Sequence, residues 1–333
     1  MKHITTPAII ESTGNKPKRI EEFIGKANSQ TDTISIAKMT CPQGWEEPGQ
    51  TPDFDEYIVV NKGCLRTKTI LGISEVKAGE AIEIKAGEWV QYSTPHDGGA
   101  EYLAICTPAF DPEKVNRDPA VDMPNMSDEA AQDLASQLRK PTGEKGLRLA
   151  AWLNEANELI TKKAYAKLAS VPGGHCLEIG FGNGYYLHEL LQFNNKVTGI
   201  DFSQDMVDIA KDIQKDFVSK GDITLSCEDA AHLSFGDHTF DQIVGVNTLY
   251  FWEQAIDVLI EIKRVLKPGG HLVLGIRPKG TASPMKFTNY GFTLYTDEEA
   301  IALLESAGFG DVSFETSPDG FLGSTILTAK KQI

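Results

Sequence analysis

The segment Cys176-Leu-Glu-Ile-Gly180-Phe-Gly182-Asn-Gly184 constrains this chain more than any other. A short apolar run ends there in three alternating glycines, and a helical pattern follows over residues 185–192. A strand that turns into a helix on glycines lets the backbone approach a bound molecule closely, with the helix N-terminus favouring an anion. About twenty residues past the first glycine the next apolar run closes on Gly199-Ile-Asp201-Phe-Ser, which puts a carboxylate where it can accept two ribose hydroxyl bonds. A dinucleotide fingerprint wants its third glycine where this chain has Tyr185, so the block counts against a nicotinamide-dependent dehydrogenase.

Strand-like runs follow in series at 175–179, 196–200, 222–225, 242–246 and 271–276, with two more near Val312 and Thr325. Helical segments separate the earlier runs, which predicts βαβ units and a parallel sheet. Upstream, Leu149, Trp152, Leu153, Ala156, Leu159 and Ile160 recur at helical spacing and predict one helix whose apolar stripe packs into the core.

Taken in order, these segments resemble the class I S-adenosylmethionine-dependent methyltransferases of type 11, over about residues 135–330. The resemblance implies a C-terminal α/β Rossmann-like methyltransferase domain with a mostly parallel seven-stranded sheet, and S-adenosyl-L-methionine as cofactor. It places Glu178, Gly180, Gly182 and Gly184 around the methionine end of the cofactor, Asp201 at the ribose, and Phe202 and Met206 beside the adenine. Glu228-Asp229-Ala230 resembles the adenine segment, with the Asp229 carboxylate accepting from the exocyclic amine and the Ala230 N–H reaching a ring nitrogen. Asn247 ends the fourth strand at the methyl-transfer face, and Leu266-Lys-Pro-Gly-Gly270 resembles the turn before the fifth. Asn247-Thr-Leu-Tyr250-Phe-Trp252 resembles the segment that faces a small-molecule acceptor, although these aromatic side chains equally suit a core. Candidate groups around the transferred methyl are Asn247, Tyr250 and His188; Tyr250 and His188 are the general-base candidates if the acceptor must lose a proton. The basic turn 138–143 lies just ahead of the Trp152 helix, where it suits a lid over the cofactor or, more simply, a linker.

The N-terminal third reads differently, as short β-type runs at 56–60, 65–71, 81–84, 89–92 and 102–106 punctuated by glycine and proline. Residues 44–63 resemble cupin motif 1, G-x5-H-x-H-x3-E-x6-G, with Gly44, Glu56 and Gly63 in place. The histidine positions hold Gln50 and Pro52, and in the second motif Gly79 and Gly87 align while the third histidine is Val90. Proline and valine cannot ligate a metal, so the expectation is an all-β cupin-like barrel with no metal. Such a barrel could bind the acceptor, form a homodimer interface, or stabilise the chain. The expected domains are a barrel over 1–112, a linker with a short helix over 113–143, and the methyltransferase domain over 144–333.

Composition narrows the partners. The net charge of −15 opposes nucleic acid and anionic membranes, and no apolar stretch is long enough to span a bilayer. Residues 1–26 carry no leader pattern, and five scattered cysteines without a C-x-x-C pair fit a reduced, cytoplasmic protein. The expected activity is methyl transfer to a small molecule, releasing S-adenosylhomocysteine; the alternative is a non-enzymatic sensor whose barrel binds a metabolite.

Overall fold

The computed structural model describes residues 3–118, 126–169, 174–318 and 323–333. It divides into two units, Met1–Val121 and Asp122–Ile333.

The first unit is antiparallel throughout. Its strands are β1 (Ala8–Ile10), β2 (Arg19–Ile24), β3 (Ser35–Cys41), β4 (Trp45–Glu46), β5 (Asp55–Thr69), β6 (Gly72–Lys77), β7 (Ala81–Ile84), β8 (Val90–Thr94) and β9 (Ala100–Thr107). They form a half-barrel in the order β1-β2-β3-β9-β5-β8-β4, with β6 and β7 also paired to β5. Along β9, Ala100, Tyr102, Ala104 and Cys106 are buried and alternate with half-buried residues, the period expected of a strand with one face on a core. Trp45, Ile58, Leu65, Tyr92 and Tyr102 fill that core.

Two runs expected as separate strands, 56–60 and 65–71, are one strand of 15 residues. Gly63 is a bend rather than a turn. Its φ is +75°, and a Cβ there would stand 1.9 Å from the Gly99 carbonyl oxygen. Before the bend β5 pairs with β9 and β7; beyond it, with β6 and β8.

The second unit opens with helices α1 (Asp128–Arg139), α2 (Gly143–Ala156) and α3 (Glu158–Leu168). There follow β10 (His175–Ile179), β11 (Lys196–Asp201), α4 (Gln204–Ile213), α5 (Lys215–Lys220), β12 (Ile223–Cys227), β13 (Phe240–Val246), α6 (Ala255–Val265) and β14 (Leu266–Ile276). After α7 (Lys279–Ala282) and α8 (Asp297–Ser306) the chain ends in β15 (Phe309–Ser317) and β16 (Ser324–Lys331). The seven strands are ordered β12-β11-β10-β13-β14-β16-β15. The first five are parallel and β16 runs against both its neighbours, so the sheet is mixed, and the arrangement is Rossmann-like.

Both sheet faces are covered, which is why the central strands read as unbroken apolar runs. Leu177, Ile243 and Leu272 pack with Leu259 and Ile262 of α6. Their neighbours Cys176, Val244 and Val273 point the other way, to Ile160 and Leu168 of α3 and Val207 of α4.

Three local expectations are corrected. The apolar stripe over 149–160 is not one helix, because Asn157 separates α2 from α3, and Trp152 and Leu159 are 51% and 44% exposed. On α2 the buried positions are Gly146, Ala150, Ala151 and Asn154. The helix α1, expected within a linker, packs inside the second unit, where Lys286 Nζ donates to the Met126 carbonyl at 2.8 Å and pairs with Asp128 at 2.8 Å. The helical run expected over 185–192 is a 3₁₀ segment, Leu187–Gln192. No helix among the described residues is long and apolar enough to cross a membrane.

Candidate functional site

The glycine loop is built by backbone geometry. Gly180, Gly182 and Gly184 all have positive φ, at +70°, +61° and +69°, a region in which side chains with a Cβ are strained. A Cβ at Gly180 would sit 2.4 Å from Thr248 Cγ2, and one at Gly184 2.8 Å from Ala210 Cβ on α4. At Gly182 a Cβ would meet nothing within 4 Å. The outer glycines therefore serve close packing, while Gly182 faces open space.

Asp201, at the end of β11, ties this loop down. Its Oδ2 accepts the Gly182 amide at 2.9 Å and its Oδ1 the Ser203 amide at 2.9 Å. Burial pushes its carboxyl up to about 6, against the backbone N–H groups of Ser203, Gly182 and Phe202, which favour the charged form. Those three N–H groups take three of the carboxylate's roughly four acceptor sites, and the one that remains suits a ribose hydroxyl.

Glu178 lies beside it, also buried, and accepts from the Tyr165 hydroxyl at 2.7 Å. Burial pushes its carboxyl up to about 7, the Tyr165 bond opposes that, and the neighbouring Asp201 charge adds to it. Tyr165, on α3, was not singled out from sequence; nothing in helical periodicity distinguishes it from a core aromatic.

Among the described residues, the buried side-chain atoms without a hydrogen-bond partner include Asn183 Nδ2 in the loop, Asn154 Nδ2 on α2, and Thr248 Oγ1 after β13. Buried polar atoms are ordinarily satisfied, so a polar ligand fits here. Asn154 is joined to the far side of the loop by Tyr186, whose hydroxyl donates to its carbonyl at 2.8 Å.

Beyond Asp201, Phe202 is 44% exposed, with Lys140 Nζ 4.3 Å from its ring centroid. The turn 139–143 is pinned to the β11–α4 junction. The Ser203 hydroxyl donates to the Pro141 carbonyl, and the Gly143 amide to Asp205 Oδ2 at 2.6 Å. Met206 is fully buried beneath, its amide capped by Ser203 Oγ at 3.4 Å. Asp229 is exposed and its Oδ1 accepts the Ala231 amide at 2.9 Å, while Ala230 is buried.

At the end of β13, Asn247 has φ +58° and donates its amide to the Gly275 carbonyl at 2.8 Å. The Tyr250 hydroxyl donates to Asn247 Oδ1 and accepts the Arg277 amide at 3.4 Å. Tyr250 is buried, stacks on Phe292 with centroids 5.7 Å apart, and is driven above the ordinary phenol range by burial. With Leu249 and Trp252 it belongs to the main core. His188 is exposed, lies over Phe217 and contacts Gln214 through Nδ1 at 3.3 Å; none of these contacts reaches Asn247 or Tyr250.

Residues 177–274, from β10 to β14, match the family described as methyltransferase domain. The C-terminal unit carries a methyltransferase domain over these residues. This methyltransferase domain has relatives of varied description. Over 97 residues the chain is 44% identical to endoribonuclease YbeY of Myxococcus xanthus, covering 29% of this chain and 33% of that protein. It is 28% identical over 183 residues to methyltransferase GfsG of Streptomyces halstedii, covering 50% and 66%. The uncharacterized methyltransferase YdaC of Bacillus subtilis is 28% identical over 178 residues, covering 53% and 93%. The chain thus spans one third of the length of the first of these relatives and just under two thirds of the second. S-adenosylmethionine is the cofactor of such a domain, and the unpartnered Asn154, Asn183 and Thr248 atoms beside the Gly182–Asp201 loop fit it.

Proposed function

We propose that this chain transfers a methyl group to a small-molecule acceptor, and the Gly182–Asp201 hydrogen bond at the head of the sheet is the observation that carries the proposal. When bound, S-adenosylmethionine supplies an electrophilic methyl on a sulfonium and leaves as S-adenosylhomocysteine. Asp201 would take a ribose hydroxyl, Gly180, Gly182, Gly184 and Glu178 the methionine end together with Asn183 and Asn154, and Phe202 and Met206 the adenine, with Asp229 and Ala230 at its edge. Because the leaving group is already good, alignment and exclusion of water are what the protein must provide.

Tyr250 is a positioning residue in this reading. It is held protonated and directs its hydroxyl proton to Asn247, so it orients the Asn247 amide at the methyl-transfer face and does not take a proton from the acceptor. His188 receives no role, since its contacts lie with Gln214 and Phe217.

The half-barrel of the first unit suits a cupin-like domain that has exchanged its metal ligands. Gln50 and Val90 are paired through both backbone bonds, at 2.8 and 2.9 Å, and Glu56 accepts from the Tyr92 hydroxyl at 2.8 Å.

Isothermal titration with S-adenosylmethionine, S-adenosylhomocysteine and NADH tests the reading. Micromolar binding of the first two with silence from NADH is the expected result; methyl acceptors are then screened by release of S-adenosylhomocysteine. Silence from both sulfur compounds removes the proposal.

A further inference from the structure

Away from the cupin-type positions, the first unit gathers three metal-ligating side chains from three chain segments. Cys64 lies on β5, Glu75 on the paired strand β6, and His96 in the turn between β8 and β9. Their ligand atoms all fall within 4.8 Å of one another. One oxygen is the meeting point: Glu75 Oε2 accepts from the Cys64 thiol at 3.1 Å and lies 2.8 Å from His96 Nε2.

The other oxygen of Glu75 is held by Arg66, with Nε at 2.7 Å and Nη2 at 2.6 Å. The guanidinium fixes the carboxylate so that Oε2 faces the thiol and the imidazole, the kind of outer support that orients metal ligands. The His96 turn is anchored too: the Cys64 amide donates to the Gly99 carbonyl at 3.3 Å, and the Gly99 amide to the His96 carbonyl at 3.2 Å. Glu75 and His96 are 30% and 48% exposed, so an ion can enter from solvent.

We propose that Cys64, Glu75 and His96 bind a zinc-class divalent cation with one coordination position left open. Thiolate, imidazole and carboxylate together select such an ion over calcium or magnesium. Tetrahedral bonds of about 2.0–2.3 Å put ligand atoms roughly 3.3–3.6 Å apart. The observed separations of 2.8 and 3.1 Å bracket that figure with the 4.8 Å limit, and side-chain rotations close the difference. The ion replaces the thiol proton, and His96 binds through neutral Nε2. Binding therefore releases a proton. Bound, the ion joins the β5–β6 ladder to the turn after β8.

The test uses the full chain without an affinity tag, stripped with chelator and titrated with Co²⁺ and then Zn²⁺. One Co²⁺ per chain with a thiolate-to-cobalt charge-transfer band, proton release in unbuffered solution, and displacement by Zn²⁺ are expected. Cys64→Ser should abolish the band, and His96→Ala, at an exposed position, should weaken binding at least tenfold with an unchanged circular dichroism spectrum. Cys227→Ser, which removes the exposed thiol of the other unit, should change neither. No Co²⁺ binding, binding without the thiolate band, or a band that survives Cys64→Ser would overturn the proposal.

Discussion

Asp201 Oδ2 and the Gly182 amide, 2.9 Å apart, join the end of one strand to the loop that follows its neighbour. The carboxylate that suits the ribose is thus also the clamp of the glycine loop, and its two tasks share the same oxygens. Asp201→Ala should weaken S-adenosylmethionine binding by about 1–3 kcal/mol, roughly fivefold to 150-fold. It should also destabilise the domain by a similar amount, because the buried Ser203 amide and the half-buried Gly182 amide lose their acceptor. Titration calorimetry and urea unfolding measure the two effects separately, and an unchanged affinity would exclude Asp201 from the ribose site.

Glu178 and Asp201 give the domain a pH signature. Both carboxyls are raised by burial, to about 7 and about 6. In that case the native state binds more protons than the unfolded chain between the ordinary carboxylate range near 4 and about 7, so stability falls as pH rises through this window. Glu178→Gln should flatten the decline between pH 5 and 7.5. Urea unfolding of both proteins across that range is the check, and a slope identical in wild type and variant would refute the Glu178 contribution.

Tyr250→Phe keeps the stacking on Phe292 and removes the hydroxyl that donates to Asn247. A positioning role predicts a kcat reduced by about tenfold, the scale of one buried hydrogen bond, with KM for S-adenosylmethionine nearly unchanged. The pH–rate profile should keep its shape. Loss of the limb on which the rate rises with pH would instead show Tyr250 acting as the proton acceptor.

The glycine loop and Asp201 were legible in the sequence because local chain conformation dictates them: φ above zero calls for glycine, and the acidic residue falls at the end of the adjoining strand. Tyr165, Asn154 and Thr248 were not, since each reaches the loop from an element whose orientation depends on packing. The apolar stripe over 149–160 misled because the break at Asn157 involves neither proline nor glycine, and the change of helix left Trp152 and Leu159 facing solvent. In the first unit, Gly63 looked like a turn because glycine marks turns and bends alike. Only the pairing of β5 on both sides of it distinguishes the two. The Cys64–Glu75–His96 cluster was invisible for a related reason: its members are joined by cross-strand pairing and the fold of a turn, with no spacing motif along the chain.

Ser203 is the joint on which the basic turn rests. Its hydroxyl donates to the Pro141 carbonyl while accepting the Met206 amide at the start of α4, so one buried atom caps a helix and fastens the 139–143 turn, with Lys140 above Phe202. Ser203→Ala removes both bonds and should destabilise the domain by about 1–2 kcal/mol. Ser203→Thr keeps the hydroxyl and should retain more of that stability. If the turn closes over the cofactor, loosening it should raise the dissociation rate of S-adenosylmethionine more than it slows association, because a fastened cover acts mainly after binding. Stopped-flow measurement of both rates decides the matter. A stability loss with an unchanged dissociation rate would leave the turn as a connector between α1 and α2.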